Sequence, residues 1–199
     1  MPEIRDLQLA VLRDRFETRI ATARSLCGPL NAYQANWKPA HDRWSVAECF
    51  RHLNETGSRY AEAIREAVEQ GRADGKTGTG PFEYGWVGRA FVRAVTPGSR
   101  PMKTWGSMKP PVSPPDLSEL DAEAEVRRFV DARASLVETC ALADGLDLAA
   151  IKMRSPVFPL LRLPVIAFLD ATAAHDARHL EQAAQVTNAP DFPADAPFT

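Results

Sequence analysis

Two histidines near the end of the chain, His175 and His179, stand four residues apart, and a third, His52, lies far upstream. On an α-helix a four-residue step brings two side chains onto one face, about 6 Å apart along the axis. An HxxxH pair so placed is a chelating arrangement for a divalent metal. Steps of three and four from the pair reach Val165, Phe168 and Thr172 on one side and Gln182, Ala183 and Val186 on the other. That stripe is mainly apolar, so both imidazoles are expected to face the interior. A polar ring needs a partner there, because burial without one is costly. The same stepping puts Cys49, Thr56 and Tyr60 beside His52, again on a partly interior stripe. Three imidazoles from two helices would leave coordination positions open, as catalysis requires, whereas structural zinc is usually closed by protein ligands. The competing reading is that the three are hydrogen-bonded core or helix-surface histidines. His41 precedes the second helix and reads as an ordinary loop residue.

Two other metal schemes fit less well. His175-Asp176-Ala177-Arg178-His179 approaches the HExxH of zinc proteases, with Asp for Glu. That scheme needs a third ligand downstream, and no histidine follows His179. A carboxylate-bridged dimetal bundle needs Glu-x-x-His on two helices. Asp176-x-x-His179 is a loose match, but the second helix offers Glu48-x-x-x-His52 instead.

Four segments must carry these residues, and each has helical periodicity. The first covers about residues 3–27, with Ile4, Leu7, Val11, Leu12, Phe16, Ile20 and Ala23 at three- and four-residue steps, and Gly28-Pro29 stops it. The second covers about 45–70 and opens on a capping box: the Ser45 hydroxyl accepts from the Glu48 N–H while the Glu48 carboxylate reaches back. Gly71 is the expected stop. The third covers about 117–142, with Leu120, Val126, Phe129, Val130, Leu136, Val137 and Cys140 apolar. The fourth covers about 164–186, opening on Pro164 and stopping at Asn188. Four amphipathic helices of matched length, roughly 35 Å each, predict an all-α four-helix bundle. No segment makes a convincing strand pair. The connection at 71–116 is far longer than usual helix–helix links. It is expected to hold one short helix over about 84–95 and a stiff proline-rich stretch, forming a crossover along the bundle. An irregular tail follows at 188–199. The 199 residues are expected to form a single domain.

Charge and composition narrow the function classes. Lys and Arg total 24 against 26 Asp and Glu, a net charge of −2, which argues against a nucleic-acid binder, since that needs a basic face. No apolar run approaches a membrane span, so no membrane partner is expected. The first residues, MPEIRD, lack the pattern of a secretory signal. Cys27, Cys49 and Cys140 are widely spaced and odd in number, so no disulfide framework is implied and a reduced, cytoplasmic setting is expected.

Trp44-Ser45-Val46-Ala47-Glu48 followed by His52-Leu53, with His175, Arg178-His179-Leu180 and Gln182 near the end, resembles the DinB-like metal-binding bundle family. The likeness spans about residues 1–186, including the long crossover and Leu146-Asp147-Leu148, Lys152 and Ser155-Pro156. The resemblance implies an up-down-down-up four-helix bundle, often a homodimer. It implies one metal-ligating histidine on the second helix and two on the fourth, here His52, His175 and His179, holding zinc or nickel. It also implies, for some relatives, transfer of a low-molecular-weight thiol such as bacillithiol, mycothiol or glutathione to an electrophile. Asp176 stands where many similar sequences have Glu; about 100° around the helix from His175, it is expected in a supporting or surface role, not as a ligand.

A divalent ion with an open position can favour a thiolate, the nucleophile such a transfer needs. Tyr84, Trp86 and Trp105 are candidates for the wall of an electrophile pocket, and Lys103 and Lys109 for contact with an anionic substrate. Cys49, one turn before His52, is a candidate fourth ligand, although a buried unreactive thiol is the commoner case. The alternatives are metal-assisted hydrolysis, for which Glu55 and Asp170 are the nearby carboxylates, and a non-enzymatic, stress-related metal-binding bundle. Protons compete for imidazole near pH 6.5, so metal affinity is expected to fall below about pH 6.

Overall fold

The computed structural model describes residues 3–99 and 118–194. It is mostly helical, in the order α1 (Leu7–Cys27), α2 (Ala32–Asn36), α3 (Val46–Ala73), α4 (Gly85–Val95), α5 (Ala122–Leu142), β1 (Lys152–Arg154), β2 (Arg162–Pro164) and α6 (Val165–Thr187). Four of these, α1, α3, α5 and α6, are the long helices the periodicity predicts, with shifted ends. α1 starts later than expected because the Asp6 carboxylate caps it, accepting from the Gln8 and Leu9 N–H groups. Asp121 caps α5 in the same way through Ala124, again a few residues late. The Ser45–Glu48 capping box opens α3 as expected, with the two bonds at 3.0 and 2.9 Å.

Gly71 does not stop α3. The helix runs on to Ala73, and a Cβ at position 71 would collide with the Ile151 side chain. The glycine serves a close approach, not a break. In α1 the core stripe is Leu9, Leu12, Phe16 and Ala23, whereas Leu7 is 82 % and Val11 58 % exposed. Leu7 and Val11 are one four-residue step apart but belong to a different ridge from the one that meets α5 and α6. Two elements escaped the sequence reading. The five-residue α2 carries its own Asn31–Gln34 capping box. The strands β1 and β2 pair antiparallel, Met153 opposite Leu163, and three residues are too few for alternation to register. The short crossover helix is present as α4, packed on α6. The proline-rich stretch with Trp105, Lys103 and Lys109 lies outside the described residues.

Each of α1 and α3 packs against both α5 and α6. Along α3 and α5 the contacts advance together, from Asn54–Glu125 to Arg65–Glu138. Along α1 and α6 they also advance together: Arg15 meets Asp170 at 2.5 Å, and Arg19, further along, feels Asp176. Between α3 and α6 the order reverses, His52 meeting His175 and Tyr60 meeting Phe168. The start of α1 meets the end of α5, where Arg5 pairs with Asp144 at 3.3 Å.

The interior is not continuous. One apolar cluster holds Leu9, Phe16, Ile64, Leu136 and Phe168, and the other holds Ala23, Val46, Phe50, Phe129 and Leu180. Each long helix runs from one cluster into the other. At the changeover all four carry polar residues: Arg19 on α1, His52, Asn54 and Thr56 on α3, Arg133 on α5, and His175, Asp176 and His179 on α6. A buried polar layer is stable only when its groups find partners, so it sets the register of the helices around it.

Candidate metal centre

His52 from α3 and His175 and His179 from α6 converge in this layer. One ring nitrogen from each lies within 4.8 Å of the other two. His52 Nε2 and His175 Nε2 are 3.3 Å apart, and the ring centroids are separated by 5.2, 4.5 and 4.6 Å around the trio. His52 and His179 are buried, and His175 keeps part of its surface toward a cavity. His179 Nδ1 lies 3.0 Å from Gln182 Oε1 one turn on. The amide oxygen only accepts, so it holds the proton on Nδ1 and leaves the Nε2 lone pair for another partner. Trp44 stacks on the His179 ring at 5.6 Å and 14°, and tilts against His52 at 5.0 Å. The indole thus covers one side of the trio.

Burial pushes the pKa of His175 well below its ordinary 6.5, with the neighbouring His179 and His52 adding to the effect. Burial likewise pushes His179 down to about 3, with His52 adding and the Gln182 bond opposing. The rings are therefore neutral at physiological pH and available as donors. Proton competition sets in at lower pH than free imidazole would suggest. The sign for folding follows: below about pH 6.5 the unfolded chain takes up protons that the folded chain refuses, so stability falls as pH drops from 6.5 toward 3. The urea midpoint of metal-free protein is expected to decline over that range more steeply than that of His179→Gln. Parallel profiles for the two proteins would show that His179 is not desolvated in the fold.

Asp176 is neither a ligand nor at the surface. It is wholly buried and takes the Arg133 guanidinium in a two-pronged pair, with Nε donating to Oδ2 at 2.9 Å and Nη2 to Oδ1. Arg133 also donates to the Leu53 carbonyl at 3.4 Å, next to His52, and its guanidinium sits 4.1 Å from the Phe129 ring centre. One side chain on α5 thereby ties the residue after His52 to the residue after His175. No sequence pattern singled out Arg133, because an arginine between apolar positions reads as a solvated face. Gly57 makes room for it: a Cβ there would sit 2.7 Å from Arg133 Nη1 and 2.8 Å from Cζ. Gly57→Ala is expected to destabilise the fold by about 1–3 kcal/mol, since the pinned guanidinium cannot yield. An unchanged urea midpoint would show that the arginine has somewhere else to go.

The trio forms part of the wall of a cavity of about 650 Å³. Tyr60, Phe91 and Phe168 line its apolar side, Val157 and Phe158 come from the β1–β2 connection, and Arg178 supplies a cation. Arg178 is fastened to the loop after α4 through Ser99 Oγ at 2.6 Å. Several earlier candidates fall away. Cys49 is buried among Val46, Phe50 and Ala23, its thiol pushed up by desolvation, and it does not join the trio. Trp86 is 76 % exposed and outside the cavity wall. Tyr84 is outside the wall too; its hydroxyl donates to Asp170 at 2.5 Å, and Asp170 also holds Arg15. Glu55 pairs with Arg51. Neither Asp170 nor Glu55 lines the cavity, so neither is placed as a general base there. His41 is an exposed loop residue, as read.

A mostly helical protein with three histidines gathered beside a cavity is the class that fold and site define. The family model of the DinB superfamily matches residues 15–183, a span containing all three histidines, and the chain belongs to that superfamily. No curated protein and no solved structure is significantly similar to it. None of the described helices is long and apolar enough to cross a membrane.

Proposed function

We propose that the protein holds one divalent metal ion, zinc or nickel, on His52, His175 and His179, and uses it to transfer a low-molecular-weight thiol to an electrophile. The observation carrying this reading is the convergence of three imidazoles within 4.8 Å on the wall of a cavity large enough for a small molecule. The donor set fits a borderline divalent ion: nitrogen ligands, one tautomer fixed by Gln182, and a tryptophan limiting water. The end-to-end pairing of α1, α3, α5 and α6 supports an up-down-down-up course.

When bound, the ion supplies the Lewis acidity that lowers a thiol's pKa, and three neutral ligands leave its charge undiminished. The chain's own residues do the rest. His52 and the α6 pair are held in register by Arg133 and Asp176, so the ligand nitrogens are arranged before anything binds. Trp44 limits solvent access to two of the three rings. The aromatic wall favours an apolar electrophile over water beside the nucleophile, and Arg178 offers a charge to an anionic group of the thiol.

Elemental analysis of freshly purified protein, followed by a screen of bacillithiol, mycothiol and glutathione against monobromobimane, tests the reading. Near-stoichiometric metal, and conjugation that a chelator stops without loss of helicity, is the expected result. Unfolding on chelation would assign the metal a structural role. Full metal with no conjugation of any thiol would remove the transferase.

A further inference from the structure

Tyr60 lines the cavity, its hydroxyl meets that of Ser155 at 2.6 Å, and counting their bonds gives the pair a direction. Ser155 Oγ already accepts from two backbone groups, Phe158 N–H at 2.9 Å and Val157 N–H at 3.2 Å. A hydroxyl has two lone pairs and one proton. With both lone pairs engaged, Ser155 can only donate, and Tyr60 Oη is the acceptor it meets. The phenol proton of Tyr60 is then left without an acceptor among the described residues. Burial raises the Tyr60 pKa above its ordinary 10, with the Ser155 bond opposing, so the proton is present at neutral pH. Tyr60 stacks on Phe168 at 5.5 Å, and Phe91 meets the same Phe168 edge-on at 5.8 Å. The donor therefore stands in an aromatic wall, on α3 two turns beyond His52.

We infer that Tyr60 donates its hydroxyl proton to an acceptor oxygen on an apolar, ring-bearing ligand seated against Phe91 and Phe168, so that the cavity selects aromatic or alicyclic molecules carrying a carbonyl, ether or epoxide oxygen. This rests on reading the cavity as a substrate site, and it names the class of electrophile that site takes. An apolar wall alone would not discriminate such a ligand from its hydrocarbon analogue. A donor in that wall does, because a bound hydrocarbon shuts water away from it and leaves it unpaired.

The probe is 2-acetylnaphthalene, compared with 2-isopropenylnaphthalene, in which a methylene group replaces the carbonyl oxygen. Ligand-observed NMR titration of the protein as purified is expected to give a ketone preference of about three- to tenfold, the worth of one neutral hydrogen bond. Tyr60→Phe is expected to erase that preference. With the ketone labelled at the carbonyl carbon, the bound resonance in the unaltered protein is expected downfield of its position in hexane. Equal affinities, no binding of either molecule, a preference that survives in Tyr60→Phe, or a bound resonance at the hexane position would each overturn the inference. The last needs no variant to fold. The measurement uses no thiol and is repeated after chelation, where the preference is expected to persist. A failed thiol screen with an intact ketone preference would therefore remove the transferase and leave Tyr60's role standing.

Discussion

Alanine at position 175 or 179 is expected to strip the purified protein of stoichiometric metal while its far-ultraviolet circular dichroism stays near that of the unaltered chain. Losing one of three imidazoles leaves two nitrogens, too few to retain a divalent ion through purification. The fold should tolerate the change because the ring contacts of the trio are a small part of what holds α6 in place. α6 is anchored on either side by Phe168 and Leu169 in one apolar cluster and Leu180 and Ala183 in the other. Gln182→Ala is the graded version. It frees His179 Nδ1 and releases the tautomer without removing a ligand, so a 10- to 100-fold loss of affinity is expected, about the size of other such supporting bonds. Elemental analysis and competition with a chromophoric chelator measure both. Full metal in His175→Ala and His179→Ala would separate these rings from metal binding and end the proposed chemistry.

The largest expected effect on stability lies one residue away. Arg133→Met or Asp176→Leu alone should each cost about 3–5 kcal/mol, because each leaves a buried charge without its counterion. Both side chains are wholly buried. The double variant should recover most of that loss, since two apolar side chains of similar volume leave no charge to solvate. Urea denaturation of the three variants gives the coupling directly. The double variant has a second expected property. It lacks the bond from Arg133 to the Leu53 carbonyl and the pair with Asp176, so it should bind metal more weakly than its restored stability suggests. Additive losses in the cycle, with no recovery in the double variant, would show that the pair does not act as a unit.

That pair marks where reading along the chain stops being informative. His175 and His179 declare themselves by a four-residue spacing on an apolar stripe, and the structure finds both rings inward. Ser45 and Glu48 declare the start of α3, and Pro164 and Asn188 bracket α6, because caps and breakers act through bonds within a few residues. Four long helices follow from periodicity alone. The caps Asp6 and Asp121, though local, shift the starts of α1 and α5 by a few residues, and the larger errors gather where the deciding contact is distant. Gly71 looks like a stop until Ile151, far along the chain, is seen to need the space. Leu7 and Val11 look like core until the direction of the α1 face is known. For Asp176 the supporting role is legible and only the surface alternative fails, because α5 brings Arg133 to it in the interior.

Local order, then, was settled by the chain itself: which segments coil, where they begin, and which histidines share a face. Backbone hydrogen bonds and side-chain spacing have ranges of three or four residues, and those ranges are printed in the order of amino acids. Tertiary packing alone decided that His52 meets the α6 pair, that a polar layer divides the core, and that Tyr60, Phe91 and Phe168 wall one cavity. Those neighbours are separated by dozens of residues. They come together only because burying the apolar faces of four helices, and pairing the Arg133 and Asp176 charges between them, selects one register among many.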